Sequence, residues 1–493
     1  MDKNISNASL NAQVIRPSFD RSALKSRIVH LGFGAFHRAH QALYTNEMLE
    51  KTNSDWGICE ISLFGVDLIK QLRQQDHLFS VLEKGSNTIT TKISGSVIES
   101  VHPKLDGTQA VLDKMAEPQV AIVSLTITEK GYCADLSTGR LDLNNTMIIE
   151  DLATPQSPKS AIGYIVEALR IRKEASLKPF TVMSCDNVPD NSRVAKQVIL
   201  DYANQLDAEL GAWIEQNVTF PCTMVDRIVP AITDDSFAEL TEHLGVNDPC
   251  GIVCESFTQW VIEDDFVNGR PEWDVAGATF VEDVRPFEEM KLRLLNGSHS
   301  FLAYLGYLAG YRYIYETMAD EAFRNAAFKL MTDEQAVTLS MPEGTDLAAY
   351  ANLLISRFSN TSIKHETYQI ATDGSQKLPQ RLCESLRFHL ANNTTTPWLI
   401  LGIAGWMVYA GEQDEKGETI VVKDPMLAEL REAYNGANTA ESIVLGLLGI
   451  SKIFGDDLIQ NKTLVSKLIE AVDQLKSIGA QALVAKTLQN QTQ

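Results

Sequence analysis

The residue most able to do chemistry in this sequence is Lys291, in the run Glu288-Glu289-Met290-Lys291-Leu292-Arg293-Leu294-Leu295-Asn296-Gly297-Ser298-His299. A lysine ammonium in water holds its proton too tightly to exchange it near neutral pH. Desolvation, or a second cation close by, brings its pKa into that range and makes it a general acid/base. On an ideal helix Leu295, Ser298 and His299 fall within about 80° of Lys291, but Asn296 lies about 140° away. Asn296 joins that face only if Gly297 distorts the turn or a ligand sits between. On the pattern alone, the plainer reading is an amphipathic helix with a solvated Lys-Arg edge.

Three further groups could serve the same chemistry. Ser184-Cys185-Asp186-Asn187 closes a strand-like run, and the Asn187 amide could donate to a carbonyl oxygen. An ordinary Asx turn before Pro189 explains it about as well. Asp226-Arg227 is a charged pair inside the apolar run from Pro221 to Pro230, where a buried structural ion pair fits equally. Lys377 follows the turn signal Asp373-Gly374 and opens a helix, and by composition it is surface-like. A proton donor beside a developing alkoxide is what reduction of a ketone to a secondary alcohol requires. Neither a zinc ligand set nor a Tyr-x-x-x-Lys pair after a suitable strand is found, and a desolvated lysine is a third solution.

A cofactor loop precedes these groups. Arg27 to Phe33 reads as a strand, and Gly32-Phe33-Gly34-Ala35-Phe36-His37 follows its core. One glycine permits a tight turn, and the other lets the backbone approach a pyrophosphate at a helix N-terminus. His37 replaces the third glycine of the usual fingerprint. Glu60 and Asp67 are the acidic residues nearest to where an adenosine ribose would be held, and they lean toward NAD over NADP. The His37-Arg38-Ala39-His40 run shows no carboxylate or cysteine partner, so a zinc-free pocket wall or helix start is expected there, and no metal.

Positioning these groups requires a parallel sheet and then helices. Arg27 to Phe33, Trp56 to Leu63, Val120 to Thr126 and Phe180 to Cys185 are short, apolar and β-branched, as strands covered on both faces are. Ala35 to Lys51 carries apolar residues at helical spacing and completes a βαβ unit. From about Pro286, helical stretches dominate: Glu288 to Gly310, Asp320 to Met331, Leu347 to Phe358, Lys377 to Leu390, Pro397 to Ala410 and Leu464 to Gln474. The expected architecture is α/β: a Rossmann-type dinucleotide-binding domain over 1–285, then a mostly α-helical domain over 286–493.

The 493 residues exceed what one core usually serves, and 44% hydrophobic with 22% charged is ordinary globular composition. A net charge of -21, with no basic patch, argues against nucleic acid as partner. The seven scattered cysteines suit reduced thiols, and Cys250 with Cys254 lacks a second pair to complete a zinc pattern. The polar start of the chain lacks a signal-peptide core, and the longest apolar run, Pro397 to Gly411, is too short to span a bilayer. A cytoplasmic enzyme for a small molecule, without a membrane partner, is expected.

Together these segments resemble the polyol-specific long-chain dehydrogenases, or mannitol dehydrogenase family. The similarity lies in Gly32-x-Gly34-x-Phe36-His37-Arg38-Ala39-His40, Val225-Asp226-Arg227-Ile228-x-Pro230 and Lys291-x4-Asn296-x2-His299, and it runs from about Arg27 to Asp457. The resemblance implies NAD as cofactor, metal-free catalysis and an active site between the two domains. It implies Lys291 as general acid/base, with Asn187 and Asn296 polarising the carbonyl. It also implies His299, Lys377 and Asp226 as substrate-binding residues and Glu288 as a proton relay. Long stretches, among them Phe220 to Pro230 and Met290 to Tyr307, are similar to members that interconvert D-fructuronate and D-mannonate. Gln369 stands where polyol-oxidising members tend to carry arginine, which leans against mannitol. Arg38, Arg227 and Lys377 are left as unranked candidates for binding a carboxylate. The alternatives are a mannitol- or arabinitol-type polyol dehydrogenase and an inactive dinucleotide-binding sensor.

Overall fold

The computed structural model describes residues 4–135 and 138–491. The chain forms two compact units, Met1–Arg285 and Pro286–Gln493. The first is built on five strands: β1 (Lys25–Leu31), β2 (Trp56–Ile61), β3 (Val97–Val101), β4 (Ile122–Leu125) and β5 (Thr181–Ser184). They lie in the order β3-β2-β1-β4-β5, and every neighbouring pair is parallel. In register, Val29 stands opposite Cys59 on one side and Val123 on the other. The strand order reverses between β1 and β4, the place where open α/β sheets leave a crevice at their carboxyl edge.

Burial explains why these segments are strands. Ile28, Val29, Leu31, Ile58, Ile61, Ile122, Val123 and Val182 are wholly buried, because helices cover both faces and alternation with polar residues is unnecessary. Thr108–Ala116, Ala161–Glu174 and Asn191–Leu206 contribute the apolar faces on one side, and Gln41–Lys51 on the other. The helix expected over Ala35 to Lys51 is in fact two, Ala35–Ala39 and Gln41–Lys51. His40 sits between them at φ -125° and ψ -94°, outside helical space.

Two small three-stranded sheets complete this unit. Phe79–Lys84 pairs antiparallel with Ile89–Ser94 and parallel with Ile252–Glu255. Gln259–Glu263 pairs antiparallel with Thr223–Asp226 and parallel with Thr279–Val281. These strands were not expected from the sequence. They are short and partly polar, and their partners lie far away in the chain.

The second unit is helical around a single core. Pro397–Tyr409 runs through it with every residue buried except Pro397 and Val408, which is why it is apolar all round. Among the described residues no helix is long and apolar enough to cross a membrane. The helix expected over Glu288 to Gly310 is regular only at its ends, Arg285–Met290 and Ser298–Leu308. Between them Lys291–Gly297 is a π-helix. Two more π segments, Leu330–Gln335 and Pro379–Cys383, occur in the same unit.

The turn after β1 depends on one glycine. Gly32 adopts φ +114°, and a Cβ there would lie 2.1 Å from the Thr126 carbonyl oxygen. Gly32→Ala is expected to cost at least about 2 kcal/mol, from left-handed strain plus overlap with backbone that cannot swing away. Urea unfolding checks this: an unchanged midpoint would mean that the loop relaxes freely.

Candidate active site

At the carboxyl edge of the main sheet the first unit holds a cavity of about 700 Å³, lined among others by Gly34, Phe36, Thr126, Asp186 and Asn187. Two residues before Gly34 the chain turns at Gly32, whose N–H bonds to the Ile61 carbonyl at 2.9 Å. Gly34 caps the helix Ala35–Ala39 without a side-chain hydrogen bond. A Cβ on Gly34 would meet nothing closer than 4.0 Å, so the missing side chain leaves room over the first turn. Open space above uncapped N–H groups is what a phosphate-bearing ligand needs. Ala35 and Phe36 stand at this edge, but the Phe33 side chain is buried against Phe79, so Phe33 can act only through its backbone.

Beneath the loop lies a buried hydrogen-bonded network. His30 Nδ1 meets Ser124 Oγ at 2.8 Å, and His30 Nε2 meets Thr126 Oγ1 at 2.8 Å. His37 stacks on His30 with centroids 3.5 Å apart, and its Nε2 lies 2.5 Å from Glu60 Oε1. The sequence expectation that the histidine run has no carboxylate partner is therefore corrected: Glu60 is that partner. Glu60 is wholly buried and turned onto His37, so it is not a ribose ligand. Burial pushes both imidazoles well below the usual histidine range and raises the Glu60 carboxyl. His30, His37 and Glu60 bring ligand atoms within 4.8 Å of one another. Face-to-face stacking keeps the in-plane lone pairs of the two rings from converging on one ion, so the geometry suits a proton-sharing network.

Asn187 lines the cavity just beyond β5. Its neighbour Asp186 is a clamp: it accepts from the Ile127 and Thr128 amides at 3.0 and 2.9 Å and from the Tyr132 hydroxyl at 2.6 Å. The Asn191 amide then ties the Asp186 carbonyl at 3.0 Å to the Thr223 carbonyl at 2.8 Å. The segment is thus a built loop that holds Asn187; Asp186, within the segment singled out in the sequence, and Asn191, which sequence reasoning missed, are its positioning residues.

Asp226 ends the strand Thr223–Asp226 and is buried. Arg227 is paired with Glu83 at 2.5 Å, and it also donates to the Ala39 and Glu255 carbonyls. Arg38 donates to the Gly34 and Cys250 carbonyls and lies over the Phe33 ring. Both arginines are therefore spent on holding the cofactor loop, which removes two of the three candidates for binding a carboxylate.

In the second unit the π-helix decides which side chains share a face. Bonding from i to i+5 widens each turn to roughly 4.4 residues, so five residues bring Asn296 to about 50° from Lys291 instead of 140°. Counting on through Gly297, His299 falls about 30° to the other side of Lys291. Lys291 and His299 are buried, and Asn296 is half-buried. Glu288 is half-buried three residues earlier. The distortion that the sequence made conditional on Gly297 is present. A Cβ at Gly297 would lie 2.2 Å from Gln335 Nε2 and 2.9 Å from the Arg381 carbonyl oxygen.

The charges around this face are positive. Burial lowers the His299 pKa well below the usual range, and His365, Arg381, Arg357 and Lys377 push it the same way. The ring rests on Phe358 with centroids 4.4 Å apart, and its Nε2 has no hydrogen-bond partner among the described residues. Lys377 is not surface-like, as its composition suggested. Its Nζ donates to the Thr372 and Ile370 carbonyls at 2.6 and 3.2 Å, and burial, with Arg381 second, lowers its pKa to about 8. Arg381 and His365 had no sequence signal; they reach the cluster through packing.

Gly297→Ala is expected to destabilise the protein by about 1–3 kcal/mol, because a methyl group must displace Gln335 and the Arg381 backbone. It should also lower turnover at least tenfold by tilting Asn296 away from Lys291. Wild-type stability with wild-type turnover would show that the wide turn is not needed.

Comparison with known proteins places the chain in a family. Residues 26–275 match the mannitol dehydrogenase Rossmann domain, and residues 283–476 match the mannitol dehydrogenase C-terminal domain. The chain is 60% identical over 481 residues to D-mannonate oxidoreductase of Escherichia coli (strain K12), covering 96% of this chain and 98% of that protein. It is 37% identical to mannitol 2-dehydrogenase of Pseudomonas fluorescens, solved as a ternary complex with NAD and D-mannitol, with a TM-score of 0.84 over 97% of this chain and 98% of that one. A substrate-free D-sorbitol dehydrogenase gives a TM-score of 0.90 at 35% identity, over 96% of this chain and 98% of that one. The chain belongs to the mannitol dehydrogenase family.

Proposed function

We propose that this enzyme interconverts D-mannonate and D-fructuronate with NAD, in the cytoplasm and without a metal. The observation that carries the reading is the 60% identity, over nearly the whole of both chains, to D-mannonate oxidoreductase. The residues present fit the cofactor. Gly34 leaves the first turn of Ala35–Ala39 open above a cavity of about 700 Å³, and a family neighbour was solved with NAD. When bound, nicotinamide supplies or accepts the hydride. On this reading the unit 1–285 holds the dinucleotide through Gly32, Phe33, Gly34, Ala35 and Phe36, and the unit 286–493 carries the acid/base.

The remaining work falls to side chains. In the reducing direction Lys291 gives its proton to the oxygen of the ketone as negative charge develops there; in the oxidising direction it takes the hydroxyl proton back. The Asn296 and Asn187 amides donate to that oxygen and stabilise the alkoxide. His299, held neutral by burial and neighbouring cations, orients a substrate hydroxyl. Asp226 accepts from another hydroxyl, Lys377 adds positive charge, and Glu288 passes the Lys291 proton outward.

A second reading, a dehydrogenase of uncharged polyols, is favoured by the mannitol and sorbitol enzymes among the structural neighbours. Nicotinamide absorbance separates the two. D-Mannonate is expected to be oxidised with a kcat/KM at least about a hundredfold above that of D-mannitol, and the reverse ranking would overturn the assignment. Lys291→Ala is expected to lose about 10²- to 10⁴-fold in kcat while NAD still binds, as fluorescence titration would read. Unchanged turnover would remove Lys291 from the mechanism.

A further inference from the structure

We infer that Arg381 holds the carboxylate of the substrate and thereby makes this site select a sugar acid over an uncharged polyol. The inference rests on the reaction proposed above. Arg381 lies in the π segment Pro379–Cys383 and is half-buried. Its Nη1 donates to the Asn296 carbonyl at 3.3 Å and to Ser300 Oγ at 3.2 Å, both long bonds to neutral acceptors. No carboxylate pairs with it among the described residues.

Among the described residues Arg38 and Arg172 also lack a carboxylate partner but donate to two or three backbone carbonyls each, whereas others are ion-paired. Arg387 grips Asp457 at 2.8 Å, Arg431 grips Glu412 at 2.7 Å, and Arg312 grips Glu366 at 2.9 Å. Arg381 meets only the Tyr304 phenol in opposition, and that hydroxyl is itself buried without a partner. A desolvated guanidinium without a counter-ion is costly, and its planar fork matches a carboxylate by two parallel bonds. Binding an anion relieves the cost; binding a neutral polyol does not.

Position supports the assignment. Arg381 touches the backbone of Asn296, whose amide shares the face of Lys291, and its charge acts on His299 and Lys377. Lys377 is a weaker candidate because its ammonium already bonds to the Ile370 and Thr372 carbonyls. Arg38 and Arg227 are committed to the loop in the first unit.

The test compares D-mannonate with D-mannonamide, the same chain with an uncharged amide, as substrates with NAD or, where turnover is slow, as competitive inhibitors. Wild type, Arg381→Met and Arg381→Lys are used at full length, with melting temperature and NAD affinity measured alongside. For Arg381→Met, kcat/KM on mannonate should fall about 10²- to 10³-fold, mainly through KM, while mannonamide changes by less than about threefold. Arg381→Lys keeps the charge but loses the fork, so it should lose about tenfold on mannonate alone; it carries the test should the methionine variant fail to fold. Equal losses on both compounds would mean that Arg381 is only a structural tie, and undiminished use of mannonate would also overturn the inference. Wild-type protein inert toward mannonate would sink the reaction assignment itself, and this inference with it.

Discussion

At Gly297 a hydrogen atom is all that fits. The Gln335 amide and the Arg381 carbonyl oxygen stand where any side chain would begin, and Gln335 Nε2 bonds to that oxygen at 3.0 Å. All three residues belong to π segments, so three over-wide turns meet at one point. A single π segment inside an α-helix is an uncommon distortion that tends to mark functional sites. Mutual packing makes each of these the support of the others. The widened turn after Lys291 brings Asn296 to the lysine's face, and the same contact seats Arg381 against the Asn296 backbone. One close approach thus sets both the face that Lys291 and Asn296 share and the cation beside it.

Glycines do three different jobs in this protein. Gly32 is required for conformation, with φ +114° and a carbonyl against its α-carbon. Gly297 is required for closeness alone, since its backbone is helical at φ -65° and ψ -48°. Gly34 is required by neither: its surroundings are open, and its missing side chain is space kept above a helix start. A sequence shows the same letter at all three. Only the neighbours separate a turn, a packing contact and a ligand cradle.

This bears on what the sequence could reveal. The four main-sheet strands expected from apolar β-branched runs are present within a few residues, because burial on both faces writes itself plainly into composition. Val97–Val101, β3, was not expected, since Glu99 and Ser100 interrupt its apolar pattern. The convergence of Asn296 with Lys291 was only conditional in the sequence, because 3.6-residue periodicity assumes the helix that Gly297 disrupts. Lys377 looked like a surface residue because composition cannot see the carbonyls of Ile370 and Thr372 folding back over it. Glu60 lay 23 residues from His37 and on a different element, so no local pattern could pair them. Arg381 was invisible for a similar reason: what distinguishes it is its seat against Asn296 and Ser300, which is a property of three-dimensional neighbours.

The charge balance sharpens that last point. With a net charge of -21, the chain as a whole repels a sugar acid. Affinity for one must come from local cations whose field is not already cancelled. Arg381 is the candidate for such a cation here; burial first, and then neighbouring charges including Arg381, keep the His299 imidazole neutral. Specificity is a difference between two binding free energies, and an unpaired guanidinium works on both. The acid gains charge-assisted bonds, while a polyol leaves a desolvated cation facing neutral oxygens and so binds against that residual cost. Discrimination of this kind needs no steric barrier.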